Sequence, residues 1–123
     1  MTKQAHFRLD YPPSVNTYWR SWRGRVVLSA RGLAYRTAAA GLTRARFDVG
    51  DRLRVALALT MPDKRIRDID NVAKAVLDAI GHAGIYDDDS QIDFLSIERL
   101  AVEPPGCVDV TIAVMGTNSN GVV

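Results

Sequence analysis

The chain has 123 residues, enough for one domain with a real core and too few for two. Its 47% hydrophobic and 24% charged residues are those of an ordinary globular protein, which argues against a disordered or fibrous chain. No apolar run approaches the ~20 residues of a membrane span. Cys107 is the only cysteine, so neither a disulfide framework nor a thiolate zinc cluster forms within one chain, and residues 1–10 lack the apolar core of a signal peptide. A cytoplasmic protein without membrane partners is expected.

Charge is divided unevenly. Residues 1–67 carry 14 Lys/Arg against 4 Asp, a net +10, whereas residues 68–123 carry 2 against 10 acids, a net −8. Arginines outnumber lysines thirteen to three, which favours bidentate phosphate contacts. A polyanion-binding surface beside a cluster of acids fits this division, and so do two halves that neutralise each other.

Phe7, Leu9 and Tyr11 alternate with polar residues and predict a first strand, ended by Pro12-Pro13. Tyr18 to Arg25 mixes arginines with aromatics and reads as a loop or irregular hairpin leading into Val26-Val27-Leu28. Aromatics among Arg20, Arg23 and Arg25 suit stacked bases and phosphates, or equally packing in the core or a dimer interface. Ser29 is a suitable N-cap for a helix to about Arg46, with Tyr35, Ala38, Ala39 and Leu42 buried. Arg52 to Met61 is the clearest strand, closed by Pro62. A second helix over Asp70 to Ala83 would bury Val72, Ala73, Val76, Leu77 and Ile80, with Gly84 just beyond its end. Strands follow over Ile92 to Val102 and Cys107 to Met115, joined at Pro104-Pro105-Gly106. Residues 1–115 thus form one α+β domain, a mixed sheet of about four strands with two main helices packed on it, and 116–123 a disordered tail.

The chemistry concentrates where a basic run, Lys64-Arg65-Ile66-Arg67, meets Asp68-Ile69-Asp70-Asn71 at a strand-to-helix junction. If extended, that junction points both carboxylates the same way. Lys74 lies one helical turn after Asp70, and a second acidic group, Asp87-Asp88-Asp89, follows the helix. Should the two groups meet, three or four carboxylates would form an oxygen-only site selecting Mg²⁺ or Mn²⁺. Such a site suits phosphodiester hydrolysis, with Lys74 stabilising charge and Lys64, Arg65 and Arg67 holding the backbone. Taken singly each element has a plainer reading. Asp70 suits a helix N-cap, Asp70 and Lys74 an exposed ion pair, and the triple Asp a solvated turn. His6 and His82 are too isolated to be proposed as ligands.

The ordered set Met61-Pro62-Asp63-x-Arg65-x-Arg67-Asp68-x-Asp70-Asn71-x-x-Lys74, then Asp78-Ala79, Ala83-Gly84 and Tyr86-x-Asp88-Asp89-x-Gln91, resembles the signature of the RusA family of Holliday junction resolvases. Pro12-Pro13-Ser14-x-Asn16, Arg23-Gly24-Arg25 and Ser29 with Gly32, Tyr35 and Arg36 are similar to that family too. The resemblance implies a homodimeric Mg²⁺-dependent endonuclease that acts on four-way junction DNA by paired nicks, with no small-molecule cofactor. It maps the essential carboxylates onto Asp68, Asp70 and Asp89, with Asp88 as a second ligand or neighbour, and the essential lysine onto Lys74. Arg67 and Asn71 fall beside the metal ligands, and Asn16, Arg20, Arg23, Arg25, Lys64 and Arg65 are candidates for DNA contact. Ile66 stands where the family often has a basic residue. The competing expectations are a branched-DNA-binding module with a degenerate metal site, and a related nuclease acting on flaps, forks or RNA.

Overall fold

A computed structural model describes residues 3–115. Along the chain run β1 (Gln4–Asp10), α1 (Val15–Tyr18), β2 (Trp19–Trp22), β3 (Arg25–Leu28), α2 (Ala30–Ala40), β4 (Leu53–Met61) and α3 (Ile69–His82). A 3-10 turn (Asp89–Gln91) then leads to β5 (Ile92–Val102) and β6 (Cys107–Val114). One four-stranded sheet has the order β1-β6-β4-β5, parallel only between β4 and β5, and β2 and β3 form a separate hairpin. The α+β expectation of a four-stranded mixed sheet holds, with the hairpin and a third, short helix added.

Period-two alternation decides which sheet face is buried. Ala5, Phe7 and Leu9 of β1, the five alternate residues Leu53 to Met61 of β4, and Val108, Val110 and Ile112 of β6 form one apolar surface. Against it α3 lays Val72, Ala73, Ala75, Val76, Ala79 and Ile80, a stripe recurring at helical spacing. Gly84, with φ +78°, turns the chain after this helix in the left-handed conformation that glycine adopts freely.

Two expectations need correction, and a third feature settles a strand order that the sequence left open. First, α2 stops at Ala40, leaving Ala38 and Leu42 exposed, while Gly32, Tyr35 and Ala39 face inward. Gly41 ends the helix, and Phe47, buried and bonded through its N–H to the Ile85 carbonyl at 2.8 Å, draws the chain away from a helical path. Second, Ser14 caps a short helix absent from the sequence reading, accepting a bond from the Thr17 N–H, and this helix puts Tyr18 in the core rather than at a DNA surface. Third, β5 and β6 are joined by a short turn yet do not pair with each other, because β4 lies between them. The turn therefore crosses the end of β4: the Glu103 N–H bonds the Met61 carbonyl at 2.8 Å. At Gly106, φ +84°, a Cβ would sit 2.9 Å from Thr60 O and Pro62 N, so only glycine fits the crossing. The tail expected at 116–123 lies outside the described residues. Among those described, no helix is long and apolar enough to cross a membrane.

Candidate phosphodiester site on helix α3

The loop between β4 and α3 is organised by Asp63. Its carboxylate accepts the Arg65 N–H at 2.9 Å and a fork from Arg67, whose Nη2 lies 3.0 Å away. Hydrogen bonds from Arg67 and the Arg65 backbone hold the Asp63 carboxyl well below the usual carboxylate range. Arg67 also lies over the Tyr11 ring, and its carbonyl accepts Arg99 Nη2 at 2.6 Å. Arg67, expected as a DNA contact, is thus half-buried and committed to shaping the loop. Asp63, named in the sequence only as part of the family signature, is its anchor. Lys64, Arg65 and Ile66 remain exposed, Ile66 at 99%.

This loop and the segment after β1 enclose an open cleft of about 440 Å³. It brings together Asn16, Arg65, Arg67, Asp68 and Asn71, with Tyr11, Pro12 and Pro13 in its wall. The Tyr11 hydroxyl is buried there without a hydrogen-bond partner among the described residues. Asp68, not Asp70, is the N-cap of α3, and its carboxylate makes no capping bond. Asp70 sits in the first helical turn, so the junction is not extended through both residues and the condition for their carboxylates to point the same way is not met. There the positive end of the helix dipole favours an anionic group. Asp70 and Lys74 are exposed and form no ion pair among the described residues.

The second acidic group lies at the other end of α3. Gln91, buried, holds it in place: Oε1 accepts the Asp87 and Asp88 N–H groups at 2.8 and 3.0 Å, while Nε2 donates to the Asp48 and Asp51 carbonyls. Asp88 is spent as the cap of the 3-10 turn, accepting the Ser90 N–H at 2.9 Å, and hydrogen bonds from Ser90 keep its pKa low. Asp89 accepts a bond from the Tyr86 hydroxyl at 3.0 Å and faces Gly81. With Leu77, Asp78, His82 and Tyr86, the three aspartates line a shallower depression of about 260 Å³. Gly81 lies eleven residues along α3 from Asp70, roughly 16 Å at 1.5 Å per residue. One chain therefore does not gather the two acidic groups. Among the described residues no three His, Cys, Asp or Glu side chains are grouped to hold a metal ion. The loop after α3 does fold back, but only as far as the helix's last turns.

Between these ends, Asp78 fastens α3 to α1 and α2. It accepts Arg36 Nε at 2.8 Å, Arg36 Nη2 at 3.0 Å and the Tyr18 hydroxyl. Burial pushes the Asp78 carboxyl up, but the hydrogen bonds from Arg36 and Tyr18 outweigh it and its pKa is lowered. A group depressed on folding contributes stability above its unfolded pKa and loses it as pH falls through the folded value. Asp78→Ala strands a half-buried guanidinium and phenol, so a loss of about 2–3 kcal/mol in urea unfolding at pH 7 is expected. That deficit should begin to shrink below about pH 4, where the unfolded carboxyl takes up its proton first, and go on shrinking as the pH falls toward the depressed folded value. Equal deficits at pH 7 and pH 3 would remove the charge from this account. Nothing local to α3 announces that Asp78 has partners 42 and 60 residues away.

Unengaged carboxylates thus stand at a helix N-terminus, under a basic loop and beside an open cleft. The model of the family Endodeoxyribonuclease RusA matches residues 10–113. The chain is 39% identical over 114 residues to the crossover junction endodeoxyribonuclease RusA of Enterobacteria phage 82, spanning 90% of this chain and 95% of that protein. It is 38% identical to the one of phage HK97, over 89% and 93% of the two chains, and 40% identical to that of Escherichia coli K12, over 88% and 92%. This chain belongs to the endodeoxyribonuclease RusA family.

Proposed function

We propose that the chain is a Mg²⁺-dependent, structure-selective endodeoxyribonuclease that resolves four-way DNA junctions as a homodimer, by symmetric paired nicks. The observation that carries this reading is the pair Asp68 and Asp70, free of capping bonds and ion pairs at the α3 N-terminus, in a chain matched almost end to end to crossover junction endodeoxyribonucleases. The oxygen-only donor set of Asp68, Asp70 and Asp89 suits a hard cation and disfavours His- or Cys-preferring metals. Mg²⁺, or Mn²⁺ in its place, would supply there charge neutralisation at the scissile phosphate and activation of the attacking water. Lys74 contributes positive charge toward the same phosphate, Lys64, Arg65, Asn16 and Asn71 hold the flanking backbone, and Arg67 keeps their loop in shape.

Dimerisation completes the site. Asp70 and Lys74, both exposed, share one stripe of α3 with the partly covered Gly81, and Asp89 stands beside Gly81. Two copies packed antiparallel along this stripe, about a two-fold axis, set Asp68 and Asp70 of one against Asp89 of the other, twice. On edge strand β5, Leu95 and Val102, which pair with Val55 and Met61 of the buried sheet face, leave apolar surface exposed on the side that carries α3, available to the second copy. Two equivalent sites are what a two-fold junction needs for symmetric cuts.

The test is cleavage of a 5′-labelled synthetic four-way junction in Mg²⁺ or EDTA, beside a linear duplex of the same sequence. Symmetric nicks in the junction alone, abolished by EDTA, are expected. Tight junction binding without cutting in Mg²⁺ or Mn²⁺ would replace this reading with a binding module.

A further inference from the structure

The hairpin of β2 and β3 has no place in the main sheet and none in the cleft. Its register pairs Trp19 with Leu28, Arg20 with Val27, Ser21 with Val26, and Trp22 with Arg25. Directly paired residues share a face of an antiparallel ribbon, and faces alternate along it. Trp19 and Leu28 pack on the core, so their face looks inward, whereas Arg20, Trp22 and Arg25 stand together on the opposite, outer face. The turn between them is Arg23-Gly24, both with positive φ (51° and 75°), the twist that suits a two-residue hairpin loop. For Arg23 this conformation is unusual, and it holds the guanidinium 4.6 Å from the centre of the Trp22 ring.

Two features of this face point to a polyanion. Among the described residues Arg20, Arg23 and Arg25 have no acidic partner, as is also true of Arg31, Arg44, Arg46, Arg54 and Arg99, and here three such arginines stand together on one hairpin. The hairpin itself carries no acid. Trp22 is 43% exposed, a large aromatic left in water between guanidiniums and taking little part in the core. A flat ring flanked by cations is suited to a base that has lost its stack, with the phosphates on either side held by the arginines. Double-stranded DNA offers phosphates but no free base face.

We propose that the outer face of this hairpin is a stacking platform on which Trp22 receives an unpaired or splayed base of branched DNA while Arg20, Arg23 and Arg25 hold its phosphates. The hairpin thereby helps to distinguish a branch point from a duplex. This rests on the junction-nuclease reading for the DNA encountered, though the platform is testable without it. Equilibrium binding in EDTA is measured with Trp22→Ala, Trp22→Tyr and Arg25→Ala on three DNAs: a four-way junction with 2-aminopurine at the branch, a linear duplex, and a dT oligomer. Trp22→Ala is expected to weaken junction and dT binding by roughly 5- to 100-fold, the range for one stacked base. It should leave duplex affinity within about twofold and relieve quenching of the 2-aminopurine, and Trp22→Tyr should restore most of the loss. Arg25→Ala should weaken all three and lower the salt slope by about one.

Unchanged junction and dT affinity in Trp22→Ala, or an equal loss on all three DNAs, overturns the proposal. So does a loss accompanied by a monomeric sedimentation profile, which would make Trp22 an interface residue. If the wild-type protein binds and cuts junction and duplex alike, the resolvase reading falls, and the dT and 2-aminopurine arms still decide the platform.

Discussion

Asp70→Asn is expected to reduce Mg²⁺-dependent nicking of a four-way junction by roughly a thousandfold or more. A metal ligand at the reacting phosphate supplies several kcal/mol, and each 1.4 kcal/mol is about tenfold in rate. Junction affinity in EDTA should stay within about threefold, because removing one anion from a basic surface does not weaken phosphate binding. Folding should scarcely change. Asp70 is exposed with no side-chain bond, so the amide forfeits only its favourable placement in the first turn of α3, roughly 0.3–1 kcal/mol. Single-turnover cleavage, filter binding and urea melts on one preparation separate these three effects. Residual cutting within tenfold of wild type would take Asp70 out of the ligand set.

Asp89 lies near Gly81, roughly 16 Å along α3 from Asp70 by the helix rise, so a shared centre needs two chains. Asp70→Asn and Asp89→Asn should each be inactive alone. Unfolded together and refolded as a mixture, they form heterodimers in which one centre carries both substitutions and the other carries neither. With random pairing half of the dimers are mixed, so about a quarter of wild-type centres return, and junctions are nicked on one strand rather than resolved. Were the centre built within a single chain, every heterodimer would lack an intact one and the mixture would stay inactive. Denaturing gels of a junction labelled on each strand in turn distinguish the outcomes.

Much of this site is local in the chain and therefore legible in it. Asp68, Asp70, Asn71 and Lys74 occupy consecutive turns at the start of one helix, and a basic run precedes them. Arg67 was legible as a basic residue but not as the partner of Asp63, since a guanidinium's use depends on which carboxylate its loop meets. Asp88 and Asp89 carry the same charge and differ only in surroundings: one caps a turn, the other takes the Tyr86 hydroxyl and faces α3. Gln91 was visible as a matched family residue, and its role in holding the acidic segment needed carbonyls from Asp48 and Asp51, 40 and more residues away.

The fold divides the same way. Periodicity is a short-range property, so the buried edge of β4 and the apolar stripe of α3 follow from spacing alone. The end of α2 did not, because Gly41 and the pull of Phe47 toward the core override a pattern that stays compatible with helix as far as Arg46. Strand order did not either. Nothing in β5, the Pro104-Pro105-Gly106 turn or β6 states that β4 lies between the strands, a placement that requires the glycine crossing at Gly106. Element types, buried faces and the chemical inventory of the site were legible in the chain, because each depends on neighbours within a turn or a strand. Tertiary structure alone decided the strand order, the separate outward-facing hairpin, and the placement of the two acidic groups at opposite ends of α3. Those depend on pairings between residues far apart in the chain, whose closure no local pattern encodes.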